Sequence, residues 1–272
     1  MTERSATITA RQPGGARRAA IAAKTLRNDR WWFAPLITVV GLVAWITYAT
    51  VRVFMHKWYW VDAYHYLTPF YSPCVTERCV PESAHFFRIL PDWWIIPDAA
   101  LTLPLLLAFR LTCYYYRKAY YRSFWLSPPA CAVPDGHKTY SGETRFPLIF
   151  QNAHRYAFYA AFLISLINTW DAILAFHSPK GFGFGLGNVI LLGNVIMLWA
   201  YTVSCHSCRH IIGGRLKHFS EHPVRYRLWT WVSVLNTKHM QLAWITLGTL
   251  ALTDFYIMAL SAGWFTDLRF IN

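Results

Sequence analysis

The residues with the most chemistry to offer sit where apolar runs of this sequence begin or end. One run closes with Tyr201-Thr-Val-Ser-Cys205-His-Ser-Cys208-Arg-His210. A second opens with Gln151-Asn-Ala-His154-Arg155-Tyr156 and a third with Asn236-Thr-Lys-His239-Met-Gln241. Thiolate and imidazole are the side chains that hold soft and borderline metals. Two Cys with two His suit tetrahedral zinc, or a [2Fe–2S] cluster in which His replaces Cys on one iron and raises its potential. Histidines facing each other across a bundle would instead hold haem b and leave the cysteines unused. On one continuous helix Cys205 and Cys208 would share a face, about 60° apart, with His206 and His210 on another. The expected metal ligands are Cys205, Cys208, His154 and His239, with Cys113, Cys131, His206 and His210 as substitutes.

The elements that must position these groups follow from composition. The 272 residues are 55% hydrophobic and 18% aromatic but only 14% charged, against roughly a quarter charged in soluble domains. Mean hydropathy is +0.24. Lipid satisfies no backbone polar group, so a chain crossing it does so as helices of about 20 apolar residues. Five stretches qualify, approximately Phe33 to Phe54, Ile95 to Tyr116, Leu148 to Ile173, Leu186 to Cys208 and Met240 to Ser261. The expected fold is an all-α integral membrane protein, a five-transmembrane-helix bundle over residues 33–272 preceded by a basic arm, residues 1–32. The net charge of +13 does not indicate nucleic-acid binding, because the charges fall between long apolar runs rather than along a polar face.

Orientation follows from where Lys and Arg lie. The arm, the second loop and the fourth loop hold eighteen, whereas the first loop, the third loop and the C-terminal tail hold five. The N-terminus is therefore expected in the cytoplasm and the C-terminus outside, in the cell inner (plasma) membrane. This topology brings His154, His239 and the Cys205/Cys208 pair to similar depth near the cytoplasmic end. Cys74 and Cys79 fall in the long, aromatic outer loop, where an oxidising compartment favours a disulfide. Asp171 and Asp254 lie in the outer halves of their spans with Arg52 at comparable depth. Carboxylates there are expensive unless paired or wet, so a salt bridge or a proton route is expected.

Three segments carry a family resemblance: Phe109-Arg-Leu-Thr-Cys-Tyr-Tyr-Tyr-Arg-Lys-Ala-Tyr-Tyr-Arg122, Ser127-Pro-Pro-Ala-Cys131 and Ser204-Cys-His-Ser-Cys-Arg-His210. With five spans and histidines at their inner ends, they resemble the membrane anchor subunit of actinobacterial succinate dehydrogenase. The resemblance covers essentially everything after the N-terminal arm. It implies a subunit of complex II that oxidises no succinate itself. A flavoprotein subunit would do that, an iron–sulfur subunit would dock on the cytoplasmic face, and this chain would pass electrons to menaquinone. A higher oligomer of the whole complex is allowed for. Five-span anchors of related enzymes carry two haems b. Here the outer halves of the spans offer no clear His pair and His177 stands alone, so the Cys/His set becomes the expected relay. A quinone headgroup needs hydrogen-bond partners beside an apolar channel, and Arg155, Tyr156, Gln241 and Trp244, with His239, are the candidates. The competing class is a membrane transporter with a structural zinc. It would show polar residues strung through broken helices, whereas these spans are nearly uninterrupted apart from Gly193-Asn194 and the acidic residues.

Overall fold

Apolar runs long enough to span lipid become helices, and the polar segments between them become short helices and two-stranded ribbons. The computed structural model describes residues 27–76, 79, 90–91, 93–136, 146 and 148–272. Most of the expected basic arm, residues 1–26, lies outside them. The helices are α1 Phe33–Met55, α2 Ala99–Leu111, α3 Tyr114–Ser123, α4 His154–Leu174, α5 Leu186–Val203, α6 His206–Gly213, α7 Pro223–Asn236 and α8 His239–Ser261. Three antiparallel ribbons pair β1 Trp60–Val61 with β2 Tyr66–Leu67, β3 His177–Ser178 with β4 Gly181–Phe182, and β5 Phe184–Gly185 with β6 Arg269–Ile271.

Four helices are long and apolar enough to cross a membrane: Phe33–Met55, Ile149–Leu174, Leu186–Val203 and His239–Ser261. A fifth span results if α2 and α3, sharply bent at the break between them, are counted together. The second expected span, 95–116, is thus one helix only from Ala99 to Leu111. Thr112 turns its hydroxyl back to the Ala108 carbonyl at 2.6 Å as the helix ends. The fourth span also stops short, at Val203 rather than Cys208. Cys205 is extended (φ −62°, ψ 141°) and caps α6, its sulfur accepting the Ser207 N–H at 3.4 Å. Cys205 and Cys208 therefore do not share a face of one continuous helix, because a capping residue must leave the helical conformation to free its side chain.

By their internal contacts the described residues fall into two units, those within 1–41 and 118–141 and those within 42–117 and 142–272. In the first, Arg27 pairs with Asp29 and donates to the Cys131 carbonyl at 2.9 Å. In the second, α5 packs along α8, and α4 packs against both α2 and α5. One end of this unit is closed by buried polar networks. Arg52 donates to Asp254 at 2.6 Å, and Tyr48 and Thr68 each donate to the same carboxylate at 2.6 Å. Tyr66 donates to Asp267 at 2.8 Å, and Arg269 and Tyr256 also reach that carboxylate. The chain approaches closely here, since a Cβ at Gly187 would collide with the Tyr66 ring. The expected Cys74–Cys79 disulfide is present, Cα to Cα 5.5 Å, in an apolar cluster with Val53, Phe70 and Tyr71. The expected pairing of a membrane-depth acid holds for Asp254 with Arg52. Asp171 instead accepts from the Ser72 hydroxyl.

Candidate functional site

At the opposite end of the same unit, the C-termini of α2 and α5 meet the N-termini of α4 and α8. Each brings one candidate donor. Cys113 follows α2, Cys205 follows α5, and His154 and His239 begin α4 and α8. The sulfur of Cys205 lies 3.1 Å from His154 Nε2, and that of Cys113 lies 3.5 Å from His239 Nε2. Both thiols and His239 are buried, at 0%, 1% and 1% exposure, so the pairs are shielded from competing water.

The other nitrogen of each imidazole is held by the same device. His154 Nδ1 is 2.9 Å from the Thr112 hydroxyl, which already donates to the Ala108 carbonyl at 2.6 Å. His239 Nδ1 is 2.7 Å from the Ser204 hydroxyl, which donates to the Tyr201 carbonyl at 2.8 Å. A hydroxyl whose proton is committed elsewhere can only accept, so both rings carry hydrogen on Nδ1 and turn the lone pair of Nε2 toward a sulfur. Hydroxyls orienting metal-binding imidazoles through their far nitrogen are what ligand support requires. Burial pushes the Cys205 thiol up to about 12, so without a metal it is a neutral S–H donor to His154.

Aromatic rings tie the two imidazoles together. Phe109 stacks on His154 with ring centres 5.2 Å apart, Tyr201 stacks on His239 at 4.9 Å, and Phe109 meets Tyr201 edge-on at 5.4 Å. Cys113, His154 and His239, but not Cys205, line a cavity of about 700 Å³, together with Arg155, His206 and His210 among others. His206 and His210 face each other across 4.8 Å on its wall. Asn236 donates to the Ser204 carbonyl at 2.8 Å, so α7 secures the turn that carries Cys205.

Of the four expected ligands, the structure brings His154, His239 and Cys205 together. Cys208 is buried one turn into α6 and makes no hydrogen bond to either histidine among the described residues. The place beside His239 is taken by Cys113, one of the expected substitutes, while Cys131 is exposed in the other unit. Of the residues expected to face a quinone, Arg155 borders the cavity. Tyr156 is exposed on α4 and Gln241 on α8, while Trp244 packs on Tyr116 with ring centres 5.7 Å apart. Thr112 and Ser204 were not legible as site residues. Their only signal is that a hydroxyl precedes each cysteine, in Thr112-Cys113 and Ser204-Cys205.

Thiol and imidazole are the donor types that soft and borderline metals take. Among the described residues, the one trio of metal-binding side chains with donor atoms mutually within 4.8 Å is Cys74, Cys79 and Asp98, and its two sulfurs are joined in the disulfide. The four donors at the imidazole end instead form two separate Cys/His pairs. They are not gathered about one point, as the ligands of a single tetrahedral ion about 2.0–2.3 Å from its centre would be.

The long apolar helices define a multi-pass membrane protein. Residues 33–263 match the family described as actinobacterial succinate dehydrogenase subunit SdhC, and the chain belongs to that family. It is also similar to a chain of the Mycobacterium smegmatis Sdh1 complex in the apo form, with 69% identity, a TM-score of 0.84, and coverage of 91% of this chain and 94% of that one. No curated protein matches. The expected membrane-anchor assignment thus holds: the chain is a subunit of succinate dehydrogenase, its partners are the other subunits, and catalysis on succinate resides in them. The transporter alternative falls with that assignment.

Proposed function

We propose that this chain docks the flavoprotein and iron–sulfur subunits on a cytoplasmic face and passes electrons from succinate oxidation to menaquinone. Cys113, Cys205, His154 and His239 are the residues that would hold a [2Fe–2S] cluster in this relay. The observation that carries the reading is the pair of thiol–imidazole contacts, 3.1 Å and 3.5 Å, at the meeting point of four helix ends. When bound, such a cluster supplies one-electron transfer at a potential raised by its imidazole ligands. The chain's own residues do the rest. Thr112 and Ser204 keep a proton on each Nδ1, Phe109 and Tyr201 fix both ring planes, and burial keeps water from the thiols. As ligands, both thiols would be needed in the deprotonated form.

The basic cytoplasmic loops supply the docking face, with the N-terminus inside, the C-terminus outside and the bent pair α2–α3 as the fifth span. Arg155, Tyr156, Gln241 and Trp244 lie along the bilayer rim that a quinone meets on its way in. Electrons balance without a further reactant. Succinate yields two electrons and two protons on the partner subunit, and menaquinone takes up two of each to become menaquinol. The test is paramagnetic resonance of the purified, reduced complex. A [2Fe–2S] signal that disappears in Cys113→Ser and in Cys205→Ser supports the reading. A signal surviving both substitutions sinks the ligand set, and sharp cytochrome b bands in its place assign haem b.

A further inference from the structure

Helix α7, Pro223–Asn236, divides its surface three ways. One face packs on α6: Val232 is buried, Arg225 donates to the Ile212 carbonyl at 2.8 Å, and Ser233 accepts from Arg209 at 2.9 Å. About a third of a turn away, Val224, Leu228 and Trp231 lie within about 60° of one another at 100° per residue. They are 71%, 48% and 64% exposed, an apolar stripe left uncovered by the described residues. Tyr226 and Thr230, also exposed, stand roughly opposite that stripe and carry hydroxyls.

Position and charge select what covers the stripe. Two residues, Thr237 and Lys238, separate α7 from α8, which is long and apolar enough to cross the membrane. The C-terminal end of α7 is therefore tied to the level at which α8 enters lipid, where the exposed Met240 and Ile245 carry on an apolar surface. Residues 209–238 hold six Lys and Arg against one acid, Glu221. Arg227 and Lys238 are exposed, the first about 40° to one side of Trp231 and the second just past the end of the helix. An apolar stripe with an indole and basic groups beside it is how a helix lies in the headgroup layer of an anionic leaflet. The opposite face, with Tyr226 and Thr230, is left for water or a docked subunit.

We infer that α7 lies along the cytoplasmic leaflet, with Val224, Leu228 and Trp231 sunk in the lipid and Arg227 and Lys238 on the phosphates of anionic phospholipids. The inference rests on the reading above for the cytoplasmic placement of the fourth loop and takes nothing from its electron transfer. Asn236 donates to the Ser204 carbonyl at 2.8 Å, so a helix held on the leaflet also steadies the turn that carries Cys205.

The experiment uses the intact purified complex in vesicles of phosphatidylglycerol, with the exposed Cys131 replaced in Cys131→Ser. A nitroxide is attached to Leu228→Cys, Trp231→Cys or Thr230→Cys, one at a time, and the Cys131→Ser parent treated alike supplies the background. Power saturation then reads collisions with oxygen, which concentrates in lipid, and with a water-soluble nickel chelate. Oxygen should dominate at Leu228 and Trp231, and the nickel chelate at Thr230. Labels at Leu228 and Trp231 that are shielded from both reagents mean that a partner subunit covers the stripe, and labels there that favour nickel put it in water; either result overturns the inference. In phosphatidylcholine vesicles the Trp231 label should sit shallower, and Arg227→Gln should remove the difference between the two lipids. Equal depth of the parent label in both overturns the headgroup contact. None of these readings depends on quinone reduction, so the electron-transfer role stands or falls by its own test.

Discussion

At the disulfide end of the main unit, the Asp254 carboxylate is ion-paired and saturated. Asp254 alone receives Arg52, Tyr48 and Thr68. At the imidazole end, the buried groups carry no net charge and meet one another in pairs, thiol to imidazole to hydroxyl to carbonyl. The first arrangement is closed, since every lone pair of the carboxylate is engaged and nothing remains to bind. The second is open: each contact between sulfur and Nε2 is made by atoms that a metal ion would take from each other. A membrane protein spends its ion pairs where it needs rigidity and its neutral donors where it needs a replaceable partner.

Substitutions at the two ends should separate them by the size of their effects. The largest effect belongs to the open end. Cys113→Ser or Cys205→Ser should abolish the cluster resonance and quinone reduction by the assembled complex, whereas Cys208→Ser should retain both. Loss of the signal in Cys208→Ser would restore the sequence-derived ligand set.

Next comes the closed end. Asp254→Asn leaves the Arg52 charge buried without its partner, a defect that costs about 3–5 kcal/mol. Thermal unfolding of the detergent-solubilised complex should drop accordingly while any cluster signal persists in the folded fraction. A change of less than about 1 kcal/mol would mean that the pair is solvated in the membrane.

A smaller effect separates ligand from support. Ser204→Ala and Thr112→Val remove the acceptors that hold each Nδ1 proton, and such supporting contacts are worth about 10–100-fold in metal affinity. Metal content after mild chelation should fall in both variants. If neither variant loses metal faster than the parent, the hydroxyls do not orient the rings.

The smallest effect concerns pH. Tyr71 donates to the Val53 carbonyl at 2.7 Å at the end of α1, and burial pushes its phenol up to about 12. A folded-state value raised above the ordinary one near 10 means that the contribution is complete below pH 10 and is lost as pH climbs toward 12. Tyr71→Phe should flatten that alkaline decline in melting temperature and cost on the order of 1 kcal/mol at neutral pH. An equally steep decline in the variant would assign it to other groups.

Much of this was legible along the chain because membrane helices are specified by composition. Three spans appeared close to their expected bounds and a fourth ended early at Val203, and His154 and His239 begin their helices at one common end, as alternating passes through a bilayer require. The Cys74–Cys79 pair needed only five residues of separation and a compartment. What failed was local geometry at helix ends. Cys205 and Cys208 look like one helical face, yet a capping conformation at Cys205 turns its sulfur toward α4. Cys113 appeared only as a substitute, because nothing within a span reveals that the break after α2 faces the start of α8.

Membrane class and the kinds of donor atoms on offer were set along the chain, since hydropathy and residue type are properties of each residue alone. Tertiary structure decided which thiol faces which imidazole, which nitrogen holds the proton, and that Tyr201 is left with an unanswered hydroxyl. Those depend on where helices end and how their neighbours pack, and both are settled by contacts between residues far apart in the chain.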